Sequence, residues 1–165
     1  KVGPDGRVIG VDMTPEMISK ARANAEKGGY TNTEFRLGEV EHLPTGDNSV
    51  DVIMSNCVIN LVPDKSAVYQ EAFRVLAPGG RVAVSDVVRT APFPEELLDR
   101  LELHSACTVG ASGVEETRII MAEAGFVDID IDINEESRAG IDAWVPGMNL
   151  GRYAASAMIT ARKPG

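Results

Sequence analysis

The sequence predicts an α/β domain with a mostly parallel sheet and an antiparallel hairpin at its C-terminal end. Short apolar segments rich in β-branched residues alternate with segments of helical periodicity, in the order βαββαβ(α)αββ. Several of the predicted strands end in polar residues, and ligands of open α/β sheets bind outside the carboxyl ends of the strands. Near the C-terminus, Phe126 to Ile133 alternate strictly between apolar and polar residues, which is typical of a half-exposed antiparallel strand.

The first strand–helix unit carries an acid at its turn. The segment from Arg7 to Asp12 is a short apolar strand, and Thr14 then caps a helix that ends at Gly28 and Gly29. A carboxylate at the end of such a strand suits hydrogen bonds to ribose hydroxyls, as in nucleotide-binding folds. The alternative is a structural role, because the helix dipole stabilises a carboxylate near a helix N-terminus.

The second predicted strand, Thr33 to Leu37, is followed by an acidic loop from Gly38 to Pro44. A carboxylate in this loop could accept a hydrogen bond from an exocyclic amine. Alternatively, Glu39 and Glu41 are solvated loop charges. The same loop contains His42, which we interpret as a surface residue rather than a catalyst or a ligand.

The third predicted strand is followed closely by a cysteine. After a turn signal, Val50 to Met54 form a short, mostly apolar run, and the polar residues Ser55, Asn56 and Cys57 follow. We therefore expect the strand to place Asn56 and Cys57 in a pocket at its carboxyl end. The alternative is a plain core strand with a buried cysteine, because free cysteine is among the most buried residue types.

The rest of the chain continues the alternation of helices and strands. Five further elements are predicted: a helix beginning at Pro63, a strand from Arg81 to Val88, a helix from Glu95 to Ala106, a helix from Glu115 to Ala124, and a last strand from Tyr153 to Ala161. The strand from Arg81 to Val88 carries the polar residues Ser85 and Asp86 towards its end. The tight turn Pro78-Gly79-Gly80 is expected to end the helix that begins at Pro63. The second cysteine, Cys107, follows the helix predicted over the carboxyl edge of the sheet.

Composition restricts the class of protein. The 165 residues are 44% hydrophobic, which predicts one globular domain over residues 1–165. A net charge of −9 argues against a nucleic-acid partner, whose binding surface would be basic. Two cysteines do not suggest a disulfide scaffold, and no apolar run approaches the ~20 residues that a membrane helix needs. We therefore expect a cytoplasmic protein without a membrane partner. Because the chain begins at Lys1, we also expect it to be part of a longer protein.

Several segments, in order, resemble class I S-adenosylmethionine-dependent methyltransferases, whose sheet is Rossmann-like. These segments are GVDMTPEMISKAR, FRLGEVEHLP, DNSVDVIMSNCVINL and RVLAPGGRVAVSD. Four further segments resemble arsenite methyltransferases in particular: SNCVINLVPDK with Cys57, CTVGA with Cys107, EESRAGIDAWVPG and YAASAMITARKP. The resemblance covers nearly the whole chain. It implies a methyl transfer to trivalent arsenic, with arsenite or its thiol conjugates as the small-molecule substrate.

The resemblance implies S-adenosyl-L-methionine as the cofactor and five residues that bind it. Asp12 would hold the ribose hydroxyls, and Met13 would lie against the adenine. Glu39 and Val40 would line the adenine edge, and Asn56 would lie near the methionine part of the donor.

The same resemblance implies that Cys57 and Cys107 hold arsenic as thiolates and that a thiol reductant is a partner. Soft trivalent arsenic prefers sulfur and keeps a lone pair that can attack the methyl group in line, so no general base is needed. A metal site is not expected, because His104 and Cys107 alone would supply only two ligands.

One departure from the family concerns the donor site. The family's first strand and glycine-rich loop are missing, and no GxGxxG motif occurs in the 165 residues. We therefore expect two strand edges that should be paired, and an isolated chain of low stability without activity. Three alternatives stay open: a methyltransferase acting on a small organic acceptor such as a quinone ring, a non-catalytic domain of this fold, and, more weakly, a nicotinamide dehydrogenase.

Overall fold

The computed structural model describes residues 2–95, 108 and 110–165. The chain divides into two compact units, Lys1–Gly46 and Asp47–Gly165. Among the described residues each unit has its own sheet, with two strands in the first and four in the second. A single domain over residues 1–165 stays a prediction.

The first unit is a strand, a helix and a second strand. Strand β1 (Val8–Asp12) pairs in parallel with strand β2 (Thr33–Leu37), so that Asp12 lies opposite Leu37 at their carboxyl ends. Helix α1 (Pro15–Gly28) ends where Gly29 adopts a φ of 67°, a left-handed conformation that glycine takes without a steric cost. These elements were predicted from the hydrophobic pattern and the capping residues. The capping interaction differs, because the Thr14 side chain makes no hydrogen bond to the helix.

The second unit contains four strands and three helices among its described residues, together with two short 3₁₀ helices, at Ile59–Leu61 and Leu150–Arg152. In chain order the strands and α-helices are β3 (Val50–Asn56), α2 (Lys65–Val75), β4 (Leu76–Arg89), α3 (Val114–Glu123), β5 (Val127–Asn134), α4 (Ser137–Asp142) and β6 (Ala154–Arg162).

The four strands of the second unit form a mixed sheet in the order β3-β4-β6-β5. Strands β3 and β4 pair in parallel, and β6 pairs antiparallel with both β4 and β5. Only β6 therefore runs against the other three strands. This arrangement confirms the predicted fold class, although α4 and a 3₁₀ helix join β5 to β6 instead of a tight turn. Strand β1 pairs only with β2, and β3 only with β4, in the described part of the chain.

The core of the second unit lies on the faces of β4. Val82 and Val84 are each 1% exposed, and Leu76 is fully buried where the strand begins. At the carboxyl end of β4, Val87 belongs to a separate cluster that includes Ile141 and Leu150. Burying each such side chain contributes about 1.5–3 kcal/mol. This cluster holds the carboxyl end of β4, which is the end that contacts the Cys57 loop.

Strand β4 begins earlier than the sequence predicts. Val50 pairs with Leu76, and an irregularity in register separates that pair from Val52 and Arg81. The segment Pro78-Gly79-Gly80, predicted to be a tight turn, is therefore an irregular part of the strand. A Cβ at Gly80 would lie 2.8 Å from the backbone oxygen of Ala77, which explains why glycine is needed there.

Helix α4 was not predicted, and the predicted helix from Glu95 to Ala106 lies outside the described residues, apart from its first residue. None of the helices in the described ranges has the length and apolar character that crossing a bilayer requires.

Candidate functional site

The turn after β1 presents one carboxylate oxygen of Asp12. Oxygen Oδ1 accepts a hydrogen bond of 2.8 Å from the backbone amide of Thr14, and the structure gives oxygen Oδ2 no partner among the described residues. The next side chain, Met13, is 75% exposed. Asp12 therefore stabilises its own turn with one oxygen and leaves the other able to accept hydrogen bonds from a ligand.

The loop after β2 lies next to this turn. The amide of Gly38 donates a 3.0 Å hydrogen bond to the backbone oxygen of Asp12, and the amide of His42 donates one of 3.1 Å to the oxygen of Glu39. Glu39 is exposed and Val40 is half-buried. The first unit thus brings four of the predicted cofactor residues, Asp12, Met13, Glu39 and Val40, to the carboxyl edge of its sheet.

The loop after β3 presents the thiol of Cys57. Asn56 is the last residue of β3 and lies opposite Ser85 of β4. The amide of Cys57 then donates a 3.0 Å hydrogen bond to the oxygen of Ser85. Cys57 has a φ of 52°, which is uncommon for a residue with a Cβ, and it is exposed. The alternative of a buried core cysteine is therefore wrong.

Two effects raise the pKa of the Cys57 thiol. The larger is partial desolvation, and the smaller is the negative charge of Asp86. Both disfavour the thiolate, so Cys57 without a ligand is a protonated thiol at neutral pH. The chemistry that suits it is the binding of a soft, thiol-seeking atom rather than attack as a free thiolate.

A hydrogen bond between the side chains of Asn60 and Asp86 joins this loop to the end of β4 and was not predicted from the sequence. Oxygen Oδ1 of Asp86 accepts hydrogen bonds of 2.8 Å from Nδ2 of Asn60 and 2.8 Å from the amide of Val87. Asp86 is only 4% exposed. The available signal was the polar end of the fourth strand, but nothing in the sequence links Asp86 to the Cys57 loop.

The segment after Cys107 approaches the same loop. Cys107 and His104 lie outside the described residues, so the separation of the two thiols stays untested. Gly110, three positions after Cys107, lies so close to Asn60 that a Cβ on it would be 2.4 Å from the Asn60 backbone oxygen. Asn60 is itself three positions after Cys57. The described residues contain no group of three or more His, Cys, Asp or Glu side chains arranged to hold a metal ion.

Comparison with known families decides the identity of the chain. Residues 1–125 match a family model described as a methyltransferase domain. This chain belongs to the methyltransferase domain family. The carboxyl edges that present Asp12 and Cys57 are therefore edges of a methyltransferase fold.

Three named proteins are similar to this methyltransferase domain. It is 53% identical over 164 residues to an arsenite methyltransferase of Halobacterium salinarum, covering 99% of this chain and 42% of that protein. A solved arsenic(III) S-adenosylmethionine methyltransferase from Chlamydomonas reinhardtii matches with a TM-score of 0.75 and 34% identity, over 99% of this chain and 57% of that one. A demethylmenaquinone methyltransferase of Lactococcus lactis is 41% identical over 81 residues, which are 49% of this chain and 32% of that protein. The methyltransferase domain spans less than half the length of the curated arsenite methyltransferases that it matches.

Proposed function

We propose that this methyltransferase domain transfers a methyl group from S-adenosyl-L-methionine to trivalent arsenic held by Cys57 and Cys107. The observation that carries the proposal is an exposed thiol at the carboxyl end of β3, in a chain that aligns over 99% of its length with an arsenite methyltransferase. The close approach of Gly110 to Asn60 supports it further, because these residues follow the two cysteines at equal distances along the chain.

The protonated thiol of Cys57 suits arsenite as the incoming species. A thiol and an As–OH group condense to an As–S bond and water, so the thiol proton leaves with the hydroxyl and no base is required. A second condensation at Cys107 fixes the arsenic in orientation as well as in position. Soft thiolate ligands favour the trivalent state, in which arsenic keeps a lone pair.

The donor would be held mainly by the residues of the first unit. The free Oδ2 of Asp12 fits a pair of ribose hydroxyls, the exposed Met13 offers an apolar surface to the adenine, and Glu39 and Val40 would line its edge. Asn56, the last residue of β3, would meet the methionine part. When bound, S-adenosyl-L-methionine supplies an electrophilic methyl group on a sulfonium that leaves as a neutral thioether.

The chain would catalyse the transfer by positioning. Holding two reactants in line can contribute about 7–11 kcal/mol in well-oriented systems. Forming an As–C bond from the lone pair oxidises arsenic formally by two electrons. We therefore propose a thiol reductant as a partner, two of whose thiols become a disulfide as arsenic returns to the trivalent state. A thiol-based reaction of this kind fits a reducing, cytoplasmic location.

A quinone-ring methyltransferase is the main alternative. Its support is the match to the demethylmenaquinone enzyme, which covers 49% of this chain, whereas the arsenite enzyme matches 99%. A carbon acceptor would also give no role to an exposed cysteine at the end of β3.

The test is to remove each thiol in the complete gene product. Cys57→Ser and Cys107→Ser should each lower the rate of arsenite methylation at least roughly a hundredfold, because positioning is lost, while donor affinity stays unchanged. Val58→Ala is the matched control, since it alters the exposed neighbour of Cys57 and should keep the wild-type rate. Retention of arsenite methylation by either serine variant would refute the proposal. Methylation of a demethylmenaquinone by all variants alike would favour the quinone alternative.

A further inference from the structure

We propose that Asp86 is a positioning residue for the Cys57 thiol and that it acts through the side chain of Asn60. It would not touch the substrate. The proposal rests on the function proposed for Cys57 and adds the device that fixes the thiol in place.

The loop that carries Cys57 has few hydrogen bonds of its own. Within the loop, the amide of Leu61 donates to the oxygen of Val58 at 3.0 Å, which closes the single turn of 3₁₀ helix. The amide of Val62 likewise donates to the oxygen of Ile59 at 3.1 Å, and further hydrogen bonds come from β4. The amide of Cys57 binds the oxygen of Ser85, and Nδ2 of Asn60 donates to Val87 oxygen at 2.7 Å as well as to Asp86.

The conformation of Cys57 needs such external restraint. A φ of 52° is a strained backbone state for a residue with a Cβ, and strain persists only where the surrounding structure determines the conformation. The Ser85 contact fixes the start of the loop, and the Asp86–Asn60 contact fixes its end. The first attachment is made by the amide of Cys57 itself, so release of the second would leave its side chain held from one side only and would let the thiol move.

The carboxylate of Asp86 is buried, and only one of its two oxygens has a hydrogen-bond partner among the described residues. Oxygen Oδ2 of Asp86 is the buried side-chain polar atom that lacks a partner in the described part of the chain. Asp86 lines a cavity of about 10 Å³, room for no more than one water molecule, together with residues that include Asn60, Tyr69 and Thr117. Burial raises the pKa of Asp86, although backbone amides of Val87, Asn60 and Ile59 oppose that rise. A buried charge with one bare oxygen costs free energy that an apolar side chain would avoid.

The carboxylate of Asp86 is, however, a strong hydrogen-bond acceptor for the side chain of Asn60 in the loop. Hydrogen bonds to an ionised oxygen are roughly twice as strong as neutral ones, and Oδ1 gathers donors from both the strand and the loop. Asn60 is also the residue whose backbone oxygen faces Gly110. Asp86 therefore holds the point where the Cys57 loop meets the segment that follows Cys107.

The experiment compares three variants of the complete gene product with a matched control. Asp86→Ala removes the acceptor, Asp86→Asn keeps an oxygen at Oδ1 without the charge, and Asn60→Ala removes the donor without touching β4. Asp142→Ala is the control, because Asp142 also accepts a hydrogen bond from a distant backbone amide, that of Gly151 at 2.7 Å.

Three measurements separate positioning from general stability. The first is hydrogen exchange of the backbone amides in residues 57–62. The second is the alkylation rate of Cys57 by iodoacetamide in a Cys107→Ser background. The third is the affinity for arsenite with both cysteines present.

We expect Asp86→Ala and Asn60→Ala to speed exchange of the loop amides at least roughly tenfold, to change the alkylation rate, and to weaken arsenite binding at least roughly tenfold. Asp86→Asn should restore most of each property, and Asp142→Ala should leave all three unchanged. If Asp86→Ala does not fold, Asn60→Ala alone carries the test.

Two results would overturn the positioning role: loop exchange that is unchanged in Asn60→Ala, or faster exchange with wild-type alkylation and arsenite affinity. Failure of the proposed function gives a different result. Arsenite would then bind equally well to wild type and Cys57→Ser, while the exchange and alkylation effects of the variants stay as expected.

Discussion

The turn after β1 and the loop after β3 both follow the carboxyl end of a strand with a parallel partner, but they are held in different ways. The side chain of Asp12 accepts a hydrogen bond from the amide of Thr14, two positions along the chain, although its backbone oxygen also accepts one from Gly38 after β2. The Cys57 loop is attached to Ser85 and Asp86, which belong to another strand. The side-chain hydrogen bond of Asp12 can form as soon as its own turn folds, whereas the thiol reaches its position only after β3 and β4 have paired.

Because of this difference, we expect donor binding and arsenic binding to respond differently to substitutions. Donor binding at Asp12 should tolerate changes in the second unit other than those at Asn56, and arsenic binding at Cys57 should not. Variants that affect one property and spare the other therefore test the comparison.

The largest effect is expected at Gly110. A Cβ there would lie 2.4 Å from the Asn60 backbone oxygen, so Gly110→Ala must separate its own segment from the Cys57 loop and should cost about 3 kcal/mol of unfolding free energy. Chemical denaturation measures this loss, and arsenite affinity should fall with it while Asp12-dependent donor binding is kept. Gly140→Ala is the control, because nothing lies within 4 Å of a Cβ at that position. A Gly110→Ala protein as stable as Gly140→Ala would contradict the described packing.

The second effect concerns Asp12. Asp12→Ala should weaken binding of S-adenosyl-L-methionine roughly ten- to hundredfold, because hydrogen bonds to a charged group contribute about 1.5–3 kcal/mol. Asp12→Asn keeps an acceptor for the Thr14 amide, so it should preserve the fold and lose donor affinity almost as strongly. Titration calorimetry with the donor and with arsenite separates the two ligands. Equal loss of arsenite affinity would break the proposed division between the two regions.

A smaller effect should follow from the backbone of Cys57. Glycine adopts a φ near 52° without the steric cost of a Cβ, so Cys57→Gly should stabilise the protein by about 1 kcal/mol relative to Cys57→Ala. Thermal unfolding of the two variants measures this difference. Since both lack the thiol, neither should bind arsenite. A glycine variant less stable than the alanine variant would argue against the left-handed conformation.

The smallest effect is a pH dependence at Asp86. Burial raises its pKa in the folded protein, so the folded state binds more protons than the unfolded state as the pH rises from the ordinary value of 3.8. Stability is therefore lost as the pH rises through the folded pKa. In Asp86→Asn this loss is absent, and its unfolding free energy relative to wild type should increase with pH in urea titrations. A difference that is constant with pH would mean that Asp86 is not desolvated.

The fold could be predicted where each element is encoded by its own residues. The apolar run of β1, the alternation of β2 and the strict alternation of β5 identify those strands, and Gly29 marks the end of α1. The start of β4 could not be predicted, because Gly79 and Gly80 signal a turn and only pairing with β3 makes their segment part of the strand. Helix α4 was missed because its six residues are too few to show a helical period.

The candidate site also has features that local sequence predicts and features that it does not. That Asn56 and Cys57 lie at the end of a strand follows from the apolar run before them. The left-handed φ of Cys57 and the hydrogen bonds of Asp86 depend on residues far apart in the chain, and no local pattern encodes such contacts. The role of Asp12 has a local signal, since an acid three positions before a helix can both close the turn and bind a ligand.

The account depends most on sulfur atoms of the chain binding arsenic. X-ray absorption spectroscopy of the complete gene product loaded with arsenite would measure the number of sulfur ligands on arsenic in wild type, Cys57→Ser and Val58→Ala. The account predicts sulfur coordination in wild type and Val58→Ala, with at least one sulfur ligand lost in Cys57→Ser. An arsenic spectrum that is the same in Cys57→Ser as in wild type would contradict it.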